Sequence, residues 1–107
     1  MGNNELLPGT LEMLILKTLA RRPCHGYAIA QHLRTVSEDA LNIGEGSLYP
    51  ALQRLLVNEW VQAEWGVSDN NRRARIYKLT PAGRKRLAEE RRAFDTMIQA
   101  IARVMEV

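Results

Sequence analysis

A run of hydrogen-bonding side chains near the middle of the chain could contact a nucleic acid. The run offers two hydroxyls, an amide and a guanidinium, with a proline among them: Ser47, Tyr49, Pro50, Gln53 and Arg54. Amide and guanidinium groups pair with base edges in the major groove of DNA, and hydroxyl and guanidinium groups also bind phosphates. These residue types therefore indicate a surface that reads DNA. The alternative is a solvated polar face with no partner.

The spacing of the neighbouring apolar residues predicts the helix that would hold this run. The apolar side chains recur at i, i+3, i+4, i+7 and i+8 and form one stripe of an α-helix: Leu48, Ala51, Leu52, Leu55 and Leu56. We therefore predict an amphipathic helix over roughly residues 46–59. Ser47 would cap this helix, and Pro50 would fall in its first turn, where no intrahelical N–H partner is lost.

A second group of candidate residues follows in a strongly basic part of the chain. Residues 70–92 carry nine of the fifteen Lys and Arg side chains and two of the twelve acidic ones, so this segment is +7 and the rest is −4. Within it, five side chains surround a predicted turn: Asn70, Asn71, Arg72, Arg73 and Arg75. A basic zone on a slightly acidic body is typical of a polyanion binder. The alternative, a charged helix that serves solubility, would explain residues 84–92 but explains Arg72, Arg73 and Arg75 less well.

The basic turn joins two alternating runs. Val61, Ala63 and Trp65 alternate with polar residues, and a second alternation runs from residue 74 to residue 79. Two such runs around a polar connection predict an antiparallel hairpin, with the first three named side chains facing inward. A hairpin tip that carries arginines favours contact with phosphates or with the minor groove.

The remaining periodicities predict three more helices. The first covers roughly residues 10–22, with Thr10 as its cap, and the second covers roughly residues 26–36 after a turn at residues 24–26, with Tyr27 facing inward. A very short strand could form around Leu41 and Ile43 in the connector that follows. The last helix begins at the cap Thr80 with Pro81 in its first position, and it extends to about residue 105.

The last helix is too long to cover one side of so small a domain, and its far half is mostly apolar. Its apolar positions follow a heptad-like seam, and the first helix is apolar around most of its circumference. Both features predict that a second copy of the chain covers these faces in a two-fold homodimer. The residues predicted at that interface are Leu11, Leu14, Leu87, Phe94, Ile98, Ile101 and Met105.

The composition excludes several other classes. A length of 107 residues predicts one domain, and the single cysteine rules out an intrachain disulfide. No apolar run approaches the roughly 18 residues of a membrane span, and the first five residues do not resemble a signal peptide, so we expect a cytoplasmic protein. Cys24, His25 and His32 do not predict a metal site, because no carboxylate or thiol at a useful spacing completes the set of ligands. Because no nucleophile–base pair or phosphate-binding glycine loop is present, we expect neither an enzyme nor a cofactor.

Four sequence blocks resemble the PadR family of bacterial transcriptional regulators. They are LEMLILKTL at residues 11–19, HGY at 25–27, GSLYPALQRL at 46–55 and RARIYKLTPAG at 73–83. The third and fourth blocks together are a fairly specific signature of this family, and each alone is a weak one. The resemblance covers about residues 6–92, and the chain is similar to the short branch of the family, which has a single C-terminal helix.

The resemblance implies a mainly α fold with a small β-hairpin: a winged helix-turn-helix DNA-binding domain over residues 1–80 and a long C-terminal dimerisation helix over residues 81–107. It implies a homodimeric regulator of transcription, usually a repressor, that binds double-stranded DNA at a palindromic operator. In this family the recognition-helix surface is formed by the positions that match Ser47, Tyr49, Pro50, Gln53 and Arg54. The wing is formed by the positions that match Asn71, Arg72, Arg73 and Arg75.

Two further interpretations stay open. Some members of the family bind a small aromatic effector between subunits, and Trp60 and Trp65 are the candidate aromatics, although a tryptophan at a helix end or in a strand usually serves packing. The chain could also be a winged-helix module that binds an acidic protein without sequence-specific DNA binding.

Overall fold

The computed structural model describes residues 9–107 and contains four helices and a three-stranded antiparallel sheet. In chain order the elements are α1 Thr10–Arg21, β1 Cys24–His25, α2 Gly26–Val36, α3 Glu45–Val57, β2 Val61–Val67, β3 Arg73–Leu79 and α4 Pro81–Met105. The strand order is β1-β3-β2. This arrangement confirms the predicted mainly α, winged helix-turn-helix architecture with a long C-terminal helix.

The core forms where α1 meets the leucine stripe of α3. Ile15 and Leu16 of α1 are fully buried, as are Leu48, Leu52 and Leu55 of α3. The stripe predicted from the sequence therefore faces the core, and the polar run of α3 faces away from it. Ile29 and Leu33 of α2 and Tyr77 and Leu79 of β3 complete the same cluster.

Two predicted helix caps are wrong. Gly9, not Thr10, occupies the N-cap of α1, with a φ of 87°. At α3 the carbonyl of Gly44 accepts the N–H groups of Ser47 and Leu48 at 3.1 and 2.9 Å, so the helix begins at Glu45 and Ser47 lies inside its first turn. Glycine is an acceptable N-cap residue, although it ranks below serine, which is why the sequence favoured Ser47.

The earlier start of α3 also moves Pro50 out of the first turn. Pro50 is the sixth helical residue, so its missing N–H leaves the carbonyl of Gly46 without an intrahelical partner. This carbonyl lies on the exposed N-terminal part of α3, where water can replace the lost bond.

The sheet contains a strand that the sequence did not predict. Cys24 and His25, expected in a turn, form β1 and pair with Tyr77 and Ile76 of β3. A two-residue strand is too short to show an alternating pattern. His25 also caps α2, because its Nδ1 accepts the N–H of Ala28 at 3.2 Å. No strand forms around Leu41 and Ile43.

The end of α3 is joined directly to the start of α4. The N–H groups of Glu59 and Trp60 donate to the carbonyls of Leu56 and Leu55, both at 3.0 Å, which makes a Schellman turn with Glu59 at a φ of 60°. The Thr80 hydroxyl donates to the Glu59 carbonyl at 2.8 Å. We call residues 58–60 and 80–83 the α3–α4 junction.

The same threonine caps α4, as predicted. Its hydroxyl accepts the N–H of Gly83 at 2.9 Å, its own N–H donates to the Trp60 carbonyl at 3.1 Å, and Pro81 is the first helical residue. Gly83 lies against that carbonyl so closely that a Cβ atom there would be 1.9 Å from the oxygen. The junction therefore fixes the direction in which α4 leaves the domain.

Candidate nucleic-acid interface

The predicted α3 residues lie on the outward half of the helix. All five are exposed, opposite the buried leucine stripe: Ser47, Tyr49, Pro50, Gln53 and Arg54. Because the stripe anchors α3 on the core, the direction of this face is set by packing.

Tyr49 is held by a glycine on the neighbouring helix. A Cβ atom at Gly26 would lie 3.0 Å from both Cε1 and the hydroxyl of Tyr49, so the ring packs directly on the start of α2. Partial burial raises the pKa of Tyr49, and Glu45 and Tyr77 add to the rise. The hydroxyl is therefore protonated near neutral pH and can donate a hydrogen bond, and 43% of the residue remains exposed.

Arg54 differs from the other four residues because it already has a partner. Its Nε donates to Oε2 of Glu12 at 2.9 Å, which ties α3 to α1. The Glu12 side chain is only 20% exposed. Arg54 therefore contributes less unneutralised charge to the surface than its residue type predicts.

The wing, which we define as the hairpin of residues 61–79, carries the second set. All five of its candidate residues are exposed, at the tip or at the adjoining end of β3: Asn70, Asn71, Arg72, Arg73 and Arg75. Asn71 shapes the turn, since it has a φ of 63° and its N–H donates to the Ser68 carbonyl at 2.9 Å. Asparagine tolerates this left-handed conformation better than most residues.

The wing arginines have no acidic partner in the described part of the chain. Within residues 9–107, no carboxylate oxygen lies within 4.0 Å of a nitrogen of Arg72, Arg73 or Arg75. Their charge is therefore available to an anion. This is the electrostatic condition that phosphate binding requires.

Trp65 lies among these arginines instead of facing the core. It is 60% exposed, which corrects its prediction as an inward residue of β2, whereas Val61 is buried as predicted. The guanidinium carbon of Arg73 is 4.4 Å from the Trp65 ring centroid, and that of Arg75 is 6.0 Å from it. The alternation fails here because Trp65 lies in the part of the hairpin near its tip, which does not pack on the core, whereas Val61 and Tyr77 nearer its base do.

A groove between α3 and the wing brings together two residues of each predicted set, and the other three of each set do not line it. It is lined by two residues of α3, Tyr49 and Gln53, by the wing residues Trp65, Arg73, Ala74, Arg75 and Tyr77, and by His25, Gly26 and Tyr27. Tyr27 was predicted to face inward, but 65% of it is exposed. The helical pattern of α2 places Tyr27 beside core positions, so the sequence does not show that it is exposed.

The predicted dimer residues fall into two groups. Leu11 is 8% exposed and belongs to the core of its own chain, so little of it is left for a partner. Leu14 and Leu87 are half-buried beside a groove between α1 and α4. The rest of the seam is exposed along the far part of α4: Phe94, Ile98, Ile101 and Met105.

Comparison with known proteins decides the family. The family model for the transcriptional regulator PadR-like family matches residues 15–89. The transcriptional regulator Rv3488 of Mycobacterium tuberculosis is 33% identical over 97 residues, which cover 91% of this chain and 87% of that protein. The chain belongs to the PadR-like family. It is therefore a DNA-binding regulator of transcription by family, as the sequence blocks predicted.

Solved structures support the same assignment. A transcriptional regulator from Clostridium thermocellum matches with a TM-score of 0.82 at 25% identity, over 89% of this chain and 92% of that one. A PadR-like transcription factor from Bacteroides fragilis matches with a TM-score of 0.73 at 29% identity, over 90% of each chain. The winged helix described above is thus shared with PadR-like proteins of known structure.

The cysteine and histidine residues of this PadR-like chain do not form a cluster. Among residues 9–107, no three His, Cys, Asp or Glu side chains are grouped as a metal ion would require. Burial raises the pKa of the Cys24 thiol, although Arg22 and Arg21 oppose the rise. Burial, followed by the charges of Arg21 and Arg22, lowers the pKa of His32.

Neither of the two tryptophans lines the groove between α1 and α4.

The hydropathy of the helices bears on the membrane question. Within the described residues, none of the four helices is both long and apolar enough to span a bilayer.

Proposed function

We propose that this chain acts as a homodimeric repressor that binds a palindromic operator, with α3 in the major groove and the wing beside it. The observation that carries the proposal is the common orientation of the two candidate surfaces. Tyr49 and Gln53 of α3 line the same groove as Arg73 and Arg75 of the wing. A helix in the major groove would thereby bring the wing cations to the neighbouring backbone or minor groove.

The residue chemistry assigns different roles within this interface. Gln53 is exposed in the middle of α3 and carries an amide, which can pair with an adenine edge. Ser47, Pro50 and Tyr49 surround it and would contact the backbone or the thymine methyl group, with Tyr49 as a hydrogen-bond donor.

The wing residues would supply affinity more than base reading. Arg72, Arg73 and Arg75 would contact phosphates or enter the minor groove, while Asn70 and Asn71 form the tip that presents them. Arg54 would bind DNA only in competition with Glu12.

The dimer rests on the exposed apolar half of α4. This helix has 25 residues, and every residue from 91 to 107 is exposed in the single chain. Phe94, Ile98 and Ile101 would pack against their counterparts, with Leu14 and Leu87 at the near end and Met105 at the far end. Residues 81–107 would then form the dimerisation helix and residues 1–80 the DNA-binding domain. Two domains related by a two-fold axis match an operator with inverted half-sites.

The first experiment is a selection of bound duplexes from random DNA with the purified protein, together with the mass of the complex in solution. We expect an inverted repeat bound by two chains. If a dimer forms but no motif is recovered, sequence-specific operator binding is refuted, and a protein partner for the basic surface becomes the better explanation. A reporter gene placed behind the recovered operator then tests repression, which predicts lower expression when the protein is present.

Two substitutions test the division of roles on that operator. Arg73→Ala should weaken binding whatever the sequence of the half-sites and flatten the log–log salt dependence by about 0.9, the value for one neutralised phosphate. Gln53→Ala should change the preferred base instead, at a cost of about 1–3 kcal/mol on the selected sequence. Equal weakening by both variants on all duplexes would contradict the assignment.

A further inference from the structure

The wing exposes a tryptophan on strand β2, close to the hairpin tip. Trp65 is 60% exposed and stands directly opposite Arg75 in the β2–β3 register. Arg73 is on the same face, two residues along β3, and its guanidinium carbon is 4.4 Å from the ring centroid. Arg75 is farther, 6.0 Å from the rings of both Trp65 and Tyr77. The tryptophan thus has one close cationic partner.

Stacking on a ring constrains an arginine without neutralising it. A carboxylate would hold the guanidinium but cancel its charge, and within residues 9–107 no carboxylate reaches Arg73. The Trp65 ring attracts the guanidinium through its quadrupole and leaves the N–H groups at its edge free. Less side-chain entropy is then lost when Arg73 binds an anion, because the side chain is already ordered.

The geometry points to a specific use of this ordered charge. We infer that Trp65 is a positioning residue that holds Arg73 ready for the minor groove of A·T-rich DNA flanking the half-site. The inference rests on the proposed operator binding and extends it to sequence preference outside the bases that α3 reads. Narrow A·T-rich minor grooves have an enhanced negative potential that favours an inserted arginine, whereas evenly spaced phosphates would accept a mobile one equally well.

The test uses two duplexes that carry the same selected half-sites, one flanked by A-tracts and one by mixed G·C sequence. The wild-type dimer should bind the A-tract duplex more tightly. Trp65→Leu should reduce that preference by about two- to fivefold, the range of an exposed cation–π contact. The salt dependence should stay unchanged, since no charge is removed. Trp65→Phe, which keeps an aromatic face, should retain most of the preference.

Substitutions of the arginine separate its charge from its position. Arg73→Lys keeps the charge but loses the planar stack, so it should keep the salt dependence and lose flank preference. Arg73→Ala should lose both the flank preference and the contribution of Arg73 to the salt dependence. If Trp65→Leu weakens binding to the two duplexes equally, or if the wild-type protein shows no flank preference, the inference is wrong.

Trp60 provides a matched control. The guanidinium carbon of Arg86 is 4.6 Å from its ring centroid, but Trp60 lies at the α3–α4 junction and not in the wing. Trp60→Leu should lower the melting temperature and leave the flank preference unchanged. The melting temperature of Trp65→Leu should stay close to that of the wild type, since its ring is exposed. Failure of the wild-type protein to select any operator would refute the proposed function itself, whereas loss of the flank effect alone refutes only the role of Trp65.

Discussion

The α3–α4 junction and the wing each place an arginine over a tryptophan, yet the two pairs differ in what surrounds them. At the junction, Arg86 lies over the half-buried Trp60 and also forms an ion pair with Glu90 at 2.6 Å. In the wing, Arg73 lies over the exposed Trp65 and has no acidic partner within residues 9–107. Neutralisation and burial, not stacking, therefore distinguish an arginine that holds the fold from one that is available to bind.

This difference predicts two classes of variant. Substitutions that disturb the packing or the hydrogen bonds of the junction should lower the free energy of unfolding, because the backbone groups there are bonded to one another and leave no space. Substitutions of the exposed wing side chains should change DNA binding at nearly constant stability, because these side chains do not pack on the core. Variants at the junction test the first class by their stability, and Trp65→Leu in the wing tests the second by its DNA binding at an unchanged melting temperature.

Gly83→Ala should have the largest effect. The added Cβ would lie 1.9 Å from the carbonyl oxygen of Trp60, and backbone on both sides of that contact must move to relieve it. We expect a loss of about 3–5 kcal/mol in the free energy of unfolding, the range for a severe steric conflict in a packed region. Urea denaturation followed by circular dichroism measures this loss.

Gly46→Ala is the control for helix propensity, because nothing lies within 4 Å of its added Cβ. Alanine is preferred to glycine in a helix, so this variant should be as stable as the wild type or slightly more stable. A Gly83→Ala protein of near-normal stability would show that the junction can open, and the contrast with the wing would be lost.

The same contrast separates what the sequence could predict from what it could not. Patterns of period 3.6 predicted α1–α4 to within a few residues, and Pro81 after Thr80 predicted the start of α4 correctly. These signals work because each arises within one element. The pairing of Cys24 with Tyr77 and the contact between Gly83 and Trp60 join distant parts of the chain, and no local pattern encodes them.

The sequence predicted which residues of the candidate interface are exposed better than it predicted what those residues contact. The exposure of the five α3 residues and of the wing arginines follows from the apolar stripe and the turn. The Glu12–Arg54 ion pair was not predicted, because helical periodicity does not show which residues of two different helices meet. The exposure of Trp65 also depends on how far the hairpin extends from the domain, which its alternation does not define.

Thr80→Ala should have an intermediate effect on stability. It removes the acceptor for the Gly83 N–H at 2.9 Å and the donor to the Glu59 carbonyl at 2.8 Å. Loss of a helix cap costs about 1–2 kcal/mol, and the orphaned carbonyl adds to that cost. Thr80→Ser keeps the hydroxyl and should recover most of the stability in the same urea titration. Equal losses in the two variants would assign the effect to packing of the methyl group instead of the cap.

Glu59→Gly should have the smallest effect and the opposite sign. Glu59 occupies the left-handed C′ position of the Schellman turn with a φ of 60°, where glycine avoids the steric cost of a Cβ atom. We expect a gain of about 0.5–1 kcal/mol in the free energy of unfolding. The gain is limited to this range because glycine loses more chain entropy than glutamate on folding. Asn71→Gly makes the matched change at the wing tip, where φ is 63° and asparagine already tolerates this conformation. Its effect should be smaller than that of Glu59→Gly, and a larger gain in the wing would mean that strain is concentrated at the binding surface instead of the junction.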